Sequence, residues 1–194
     1  MNQENNKNRR ALITGHTRGI GRAVYDRLRS EGYECEGFSQ STGYNVLDRE
    51  DEIVDRIQEF DCVILNAYAQ HSQLNMLKKI VDRYSDKDLK VAVITSTSGT
   101  PEGADEDMQD EEYTEYKRIK RELIQYIGQI QQAIVDKKLN IYDVCPDTVY
   151  TDMTVGLWEE YPKLQPADVA ECVSLCFRTK EYNINKIVIQ KNAD

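Results

Sequence analysis

The sequence predicts an α/β fold, a doubly wound and mostly parallel sheet in a single domain. Three observations predict it. Short, continuous apolar runs alternate with stretches of helical periodicity, the pattern of a parallel sheet covered on both faces. A glycine-rich turn, Thr14-Gly15-His16-Thr17-Arg18-Gly19-Ile20-Gly21, separates the first apolar run from the first helical stretch. The 194 residues fit one domain and contain no internal repeat or low-complexity linker.

Taken in order, Ala11-Leu12-Ile13 is the first buried strand. Ile20, Ala23, Val24 and Leu28 follow at helical spacing, and Gly32 stops that helix. Tyr33 to Phe38 is the second strand. Thr42-Gly43 breaks the chain, and Asp51 to Phe60 is a short charged helix. Cys62-Val63-Ile64-Leu65 is the third strand, and Leu74, Leu77, Ile80 and Val81 stripe the next helix. Val91 to Ile94 is the fourth strand. A long helix runs from about Glu112 to Lys137, with Ile119, Leu123, Ile127, Ile130 and Ile134 on its face. Ile141 to Cys145 is the fifth strand, stopped by Pro146. Pro166-Ala167-Asp168-Val169 opens a further helix, with proline in the first turn and an early carboxylate for the helix dipole. Ile187-Val188-Ile189 is the last strand. Residues 1–10 are polar, without the apolar stretch of a secretory signal, and are expected to form a flexible leader to a domain over 11–194.

Acidic residues outnumber basic ones 34 to 25, for a formal charge of −9. That balance argues against general binding to nucleic acid or an anionic membrane. No apolar run approaches the roughly 18–20 residues of a membrane span. The five cysteines, Cys35, Cys62, Cys145, Cys172 and Cys176, form no C-x-x-C pair and sit in apolar stretches, as reduced thiols of a cytoplasmic protein would. His16 and His71 are the two histidines, neither in a ligand-like cluster, so no metal site is expected. Glu102 to Glu115 holds eight acids and no Lys or Arg. It reads as a solvated loop whose last acids favour the following helix, or as a guard that repels anionic substrates.

The glycine turn stands where a doubly wound sheet binds a dinucleotide: glycines permit close backbone approach, and a helix N-terminus presents N–H groups to the pyrophosphate. Its Thr-Gly-x-x-x-Gly-Ile-Gly resembles that of the short-chain dehydrogenase/reductase family. Further segments are similar to that family's motifs in the same order. They are Asn66-Ala67-Tyr68 after the third strand, Ser96-Thr97-Ser98-Gly99 after the fourth, and Tyr116-x-x-x-Lys120 on the long helix. Pro146-Asp147-Thr148-Val149-Tyr150-Thr151-Asp152-Met153 follows the fifth strand, and Pro166-Ala167-Asp168-Val169-Ala170 starts the next helix. The resemblance runs from residue 11 to about 190 and implies a Rossmann-like domain with a small substrate lid at about 153–165.

The resemblance implies carbonyl reduction or alcohol oxidation on a small molecule. Tyr116 would be the proton donor, Lys120 the cation that favours its phenolate, Ser96 the group that orients the carbonyl oxygen, and Asn75 the residue that orders a water on the lysine. Ser98 is the alternative serine. Tyr113–Lys117 is the alternative helix register, set aside because Lys120 continues as Lys-x-x-Leu to Leu123. The implied cofactor contacts are Gly15, Thr17, Arg18, Gly19, Ile20, Gly21, Ser39, Asn45, Val46, Asn66, Ala67, Tyr68, Thr95, Tyr116, Lys120, Pro146, Asp147, Val149 and Thr151. NADP(H) is expected over NAD(H), because Ser39 and Gln40 bring no acid to the end of the second strand and Arg18 stands in the turn. Family members commonly dimerise through the helices bearing Asn75 and Tyr116. Ile124, Ile127, Ile134 and Val135 offer more apolar surface than one sheet face needs, so a homodimer is expected. The chain departs from the family in its shortness, in Tyr68 and Asp147 at glycine positions, and in the separation of Ser96 and Tyr116, which are 20 apart. Two other readings follow from these departures: a non-catalytic NADP-binding sensor or interaction protein, and a sugar-nucleotide reductase or epimerase.

Overall fold

A computed structural model describes residues 9–101, 110–134, 136–157, 159–179 and 183–192. Six strands form one parallel sheet: β1 (Arg10–Thr14), β2 (Glu34–Phe38), β3 (Cys62–Leu65), β4 (Leu89–Ile94), β5 (Leu139–Pro146) and β6 (Lys186–Ile189). Their order across the sheet is β2-β1-β3-β4-β5-β6. Five helices connect them: α1 (Gly19–Ser30), α2 (Glu50–Arg56), α3 (Ser72–Tyr84), α4 (Glu111–Ala133) and α5 (Pro166–Arg178).

Within each apolar strand successive side chains enter opposite cores, because the strand period is two. Ala11, Ile13, Ile64 and Ala92 join Val24 and Leu28 of α1 and Val173 and Phe177 of α5 on one face. Leu12, Val63, Leu65 and Val91 join Leu77 of α3 and Leu123 and Ile127 of α4 on the other. Burial on both faces is why these strands read as unbroken apolar runs. The chain direction across the sheet reverses between β1 and β3, and the carboxyl ends of these strands with β4 frame the crevice where such sheets bind ligands.

Several boundaries differ from the sequence reading. Arg10 belongs to β1 rather than to a leader: its N–H donates to Asp61 Oδ2 (2.8 Å) and its guanidinium lies 4.6 Å from the Phe60 ring centre. The predicted 51–60 helix is α-helical only to Arg56 and tightens to a 3-10 turn over Ile57–Glu59. Asp110 sets the start of α4 by accepting from the N–H groups of Glu112 (2.9 Å) and Tyr113 (3.1 Å). Residues 102–109 of the acidic run lie outside the described residues, as do Val135 and residues 1–8. The expected lid is a series of turns tied back by a Val149–Leu164 bridge. Ile127 and Ile134 do not offer surface for a second copy, because both are buried in the α4 side of the core, whereas Ile124 is half-exposed. The five cysteines are unpaired thiols. Among the described residues, no helix is long and apolar enough to cross a membrane, and no three His, Cys, Asp or Glu side chains converge as a metal would need.

Candidate active site

The turn after β1 is built around its glycines. Gly15 and Gly19 take positive φ (72° and 53°), and a Cβ on Gly21 would stand 2.2 Å from the Gly15 carbonyl oxygen. Asn66 locks this turn, donating from Nδ2 to the carbonyls of Thr14 (3.1 Å) and Gly15 (3.3 Å). In return Thr14 Oγ1 accepts from the N–H groups of Asn66 and Ala67. The ends of β1 and β3 are thereby fixed to each other. Helix α1 then begins with no side-chain cap from Arg18 and no carboxylate in its first turn. Its first turn carries no carboxylate, Asp152 pairs with Arg18 beside it, and the helix dipole favours an anion at that end. Ile20 packs on the α1 side of the core, and Thr151 closes over Gly19 with its Cγ2 3.2 Å from where a Cβ would be.

Around the turn, Thr17, Ser39 and Ser41 form a triangle of hydroxyls with edges of 3.2, 3.0 and 3.2 Å. Arg18 is exposed and pairs with Asp152 at 3.2 Å. The His16 ring lies over Gly37, where a Cβ would come within 2.0 Å of it, and 5.4 Å from the Tyr25 ring. Burial pushes the imidazole pKa down, and Arg22 adds to the effect. Asn45 builds the entry to α2: its Oδ1 accepts from Leu47 N and its Nδ2 donates to Asp48 Oδ2. Val46 is buried in the core.

The second half of the site comes from the loop after β4 and from α4. Ser96 Oγ accepts from Ser98 N (3.2 Å) and starts a 3-10 turn over Thr97–Gly99. Gly99 seats that turn against α4, since a Cβ there would lie 2.7 Å from the Lys120 carbonyl carbon. The Ser-x-x-Gly spacing is therefore a packing requirement that puts the serine opposite the Tyr–Lys face of the helix. Tyr116 is half-buried. Burial pushes its phenol pKa up to about 12, and a hydrogen bond from Ser96 pulls it back down. The Tyr68 ring meets Tyr116 edge-on at 4.9 Å, and Tyr113 stacks parallel to it at 6.2 Å. Tyr113 itself pairs with Ser98 at 3.1 Å, so the alternative tyrosine and the alternative serine are brought together beside the first pair.

Lys120 is 3% exposed. Its ammonium lies 5.6 Å from the Tyr116 ring centre and 5.7 Å from that of Tyr68. Burial lowers its pKa to about 7, with Cys145 and Asp143 of β5 opposing the fall. Two acceptors hold it: Gln73 Oε1 at 2.7 Å and the Ile94 carbonyl at 2.9 Å. Asn75 is not one of them. It is exposed on α3, in an outer groove with Asp48 and Lys79. The helical register explains the difference. Gln73, Leu77 and Ile80 form the buried stripe of α3, and Asn75 falls off it. A polar residue within an apolar stripe was the signal that would have found Gln73.

Thr95 turns its hydroxyl into the sheet, to Asp143 Oδ1 at 2.5 Å, so it offers the crevice no side-chain donor. Burial raises the Asp143 carboxyl pKa, with Thr95 and Lys186 opposing the rise. Asp147 accepts from Thr97 Oγ1 (3.1 Å) and from Thr148 N (2.9 Å), while its own N–H donates to Ile189 O. It ties the end of β5 to the serine turn and to β6. Pro146 ends β5, and Val149 leads into the bridge to Leu164.

No protein-family model and no curated protein sequence matches the chain. Solved structures do match in fold. A 3-ketoacyl-(acyl-carrier-protein) reductase from Brucella melitensis, complexed with NADH, superposes with a TM-score of 0.73 at 13% identity, over 97% of this chain and 98% of its own. A short-chain dehydrogenase from Burkholderia cenocepacia in complex with NADP gives 0.72 at 16% identity, over 95% and 97%. Glucose dehydrogenase of Caenorhabditis elegans, in its apo form, gives 0.72 at 19% identity, over 95% and 97%. In fold, this chain is built as the short-chain dehydrogenases are.

Proposed function

We propose that the chain is a nicotinamide-dependent oxidoreductase that interconverts a small carbonyl compound and its alcohol. The observation that carries this reading is the convergence of Ser96, Tyr116 and Lys120 at the carboxyl ends of β4 and β5, beside an uncapped helix N-terminus behind a glycine turn. The fit to a dinucleotide rests on the turn itself. Gly15 and Gly19 give it the positive φ of a tight turn, Gly21 lets α1 pack directly on the Gly15 carbonyl, and no carboxylate opposes an anion in the first turn of α1. Gly15, Gly19, Ile20 and Gly21 would hold the pyrophosphate, Asn66, Ala67 and Tyr68 the middle of the cofactor, and Asp147, Val149 and Thr151 the nicotinamide end. When bound, the nicotinamide supplies or accepts the hydride at the carbonyl carbon. In reduction Tyr116 gives its phenol proton to the substrate oxygen, Ser96 orients that oxygen, and the charge of Lys120 favours the phenolate left behind. Proton return to Tyr116 restores the site.

NADP(H) is the preferred cofactor in this reading. The Thr17–Ser39–Ser41 hydroxyls and the exposed Arg18 guanidinium offer donors to a phosphate, and no carboxylate stands among those hydroxyls. Consumption of NADPH absorbance across a panel of small aldehydes and ketones, with Tyr116→Phe as control, tests the activity. One observation favours a second reading, a cofactor-binding protein without turnover. The Tyr68 ring and the Asp147 carboxylate stand where the family motifs have glycine, and both are engaged within the site. NADPH binding without oxidation of cofactor by any carbonyl in the panel would select that second reading.

A further inference from the structure

We propose that Gln73 is the positioning residue of this site, its side-chain amide holding the Lys120 ammonium directly where the short-chain dehydrogenase pattern uses an asparagine-ordered water. The inference rests on the oxidoreductase reading for its catalytic meaning and on the structure alone for the link itself.

Gln73 is 4% exposed at the start of α3. Its Nε2 donates to the carbonyls of Leu65 (2.7 Å) and Ile94 (3.0 Å), the last residues of β3 and β4. Both amide hydrogens are thus committed, and this fixes which way the amide faces. Flipped, its oxygen would confront two carbonyl oxygens and its NH2 would confront an ammonium. The oxygen therefore points at Lys120 Nζ (2.7 Å), which also donates to Ile94 O (2.9 Å). Gln73, Ile94 and Lys120 close a ring of hydrogen bonds in which every atom is buried. The ring joins α3, α4 and the end of β4, and the bond from Gln73 to Leu65 adds the end of β3.

The other groups facing the amine are the Tyr116 phenol of α4, the Tyr68 phenol after β3, and Asp143 and Cys145 of β5. The hydrogen bonds to Gln73 Oε1 and the Ile94 carbonyl set where the charge sits. An amide neither releases nor takes up a proton in the working range. Gln73 accordingly places Lys120 and favours its charged form without relaying protons. Removing the acceptor leaves a buried N–H bond unpaired and favours the neutral amine, whereas a carboxylate in its place favours the ammonium.

The test follows the 13Cε resonance of Lys120, assigned by its loss in Lys120→Met, through a pH titration of the full chain without cofactor. Gln73→Leu is expected to lower the Lys120 midpoint by roughly one pKa unit or more, and Gln73→Glu to raise it by a similar amount. In parallel, the basic limb of the NADPH-dependent rate profile moves with the midpoint, and kcat falls about tenfold in Gln73→Leu with a smaller change in cofactor KM. A midpoint unchanged in both folded variants overturns the link. Unaltered kcat and pH profile despite a moved midpoint overturns the positioning role. If Gln73→Leu does not fold, wild type against Gln73→Glu decides on the same criteria. Midpoints that move as expected in a protein that reduces no carbonyl retain the Gln73–Lys120 link and reject the oxidoreductase reading instead.

Discussion

Lys120→Met should make the protein more stable near neutral pH while removing its turnover. Lys120 is fully buried in the folded chain, and burial takes its pKa from the ordinary 10.5 to about 7. At about 1.36 kcal/mol per pKa unit, holding the charged form inside costs about 5 kcal/mol below pH 7. Methionine fills a similar volume without charge. It leaves Gln73 Oε1 without its partner, a loss of roughly 1–3 kcal/mol, while Ile94 O keeps its bond from Gln73 Nε2. The variant should therefore gain about 2–4 kcal/mol near pH 6. The pH dependence carries the sharper signature. Between the folded and ordinary values the unfolded wild-type chain binds more protons than the folded one, so wild-type stability from this residue rises with pH. The advantage of Lys120→Met should shrink by about 3 kcal/mol from near pH 6 to near pH 9. Urea denaturation of both proteins at the two pH values measures it. A variant less stable than wild type near pH 6, or a difference independent of pH, would show that Lys120 is not a desolvated cation.

Other outcomes follow from the same geometry. Tyr116→Phe should remove nearly all turnover and leave NADPH binding intact in a fluorescence titration, while Tyr113→Phe, whose hydroxyl pairs with Ser98, should change turnover little. Arg18→Ala should weaken NADPH binding roughly tenfold or more and leave NADH binding unchanged, because one charge-assisted bond to phosphate is worth about 1.5–3 kcal/mol. Gly21→Ala forces the turn apart against the Gly15 carbonyl; it should lower stability by about 1–3 kcal/mol in thermal melts and abolish cofactor binding. Asp110→Ala should cost about 1 kcal/mol by uncapping α4, and Asp110→Asn should restore most of it.

The fold was legible because its signals are local and repeated. The central strands β1, β3, β4 and β5 hold apolar runs long enough for a buried strand and too short for a helix, and the helices carry period-3.6 stripes. The glycine turn was legible for a steric reason, since the contact that forbids a side chain at Gly21 leaves its mark in the sequence. What spacing could not convey was which atoms meet across the sheet. Asn75 has the residue type expected for a water-ordering role, but helix α3 enters after a short loop and turns Gln73 inward instead. The end of α4 was overextended because Ile134 continues the apolar stripe; its side chain reaches the core although the helix stops at Ala133. Two residues of the expected dimer surface are buried for a related reason. A helix over a parallel sheet buries a broad face, so Ile127 and Ile134 are used up within one copy.

The departures from the family pattern act together when placed in the structure. Lys120 is held by a glutamine amide reaching directly from α3. Asp147 stands at a glycine position, and its carboxylate joins the end of β5 to the serine turn through Thr97. Tyr68 stands at another glycine position, and its ring edge supports Tyr116. In each case a longer side chain makes a contact within the same few turns of chain that carry Ser96, Tyr116 and Lys120. Their positions are then set by direct links, of which the Gln73–Lys120 bond is buried and the Asp147 and Tyr68 contacts are part-buried. Such links leave less freedom for adjustment on binding. A site built this way should tolerate poorly any substitution that shortens Gln73, Asp147 or Tyr68.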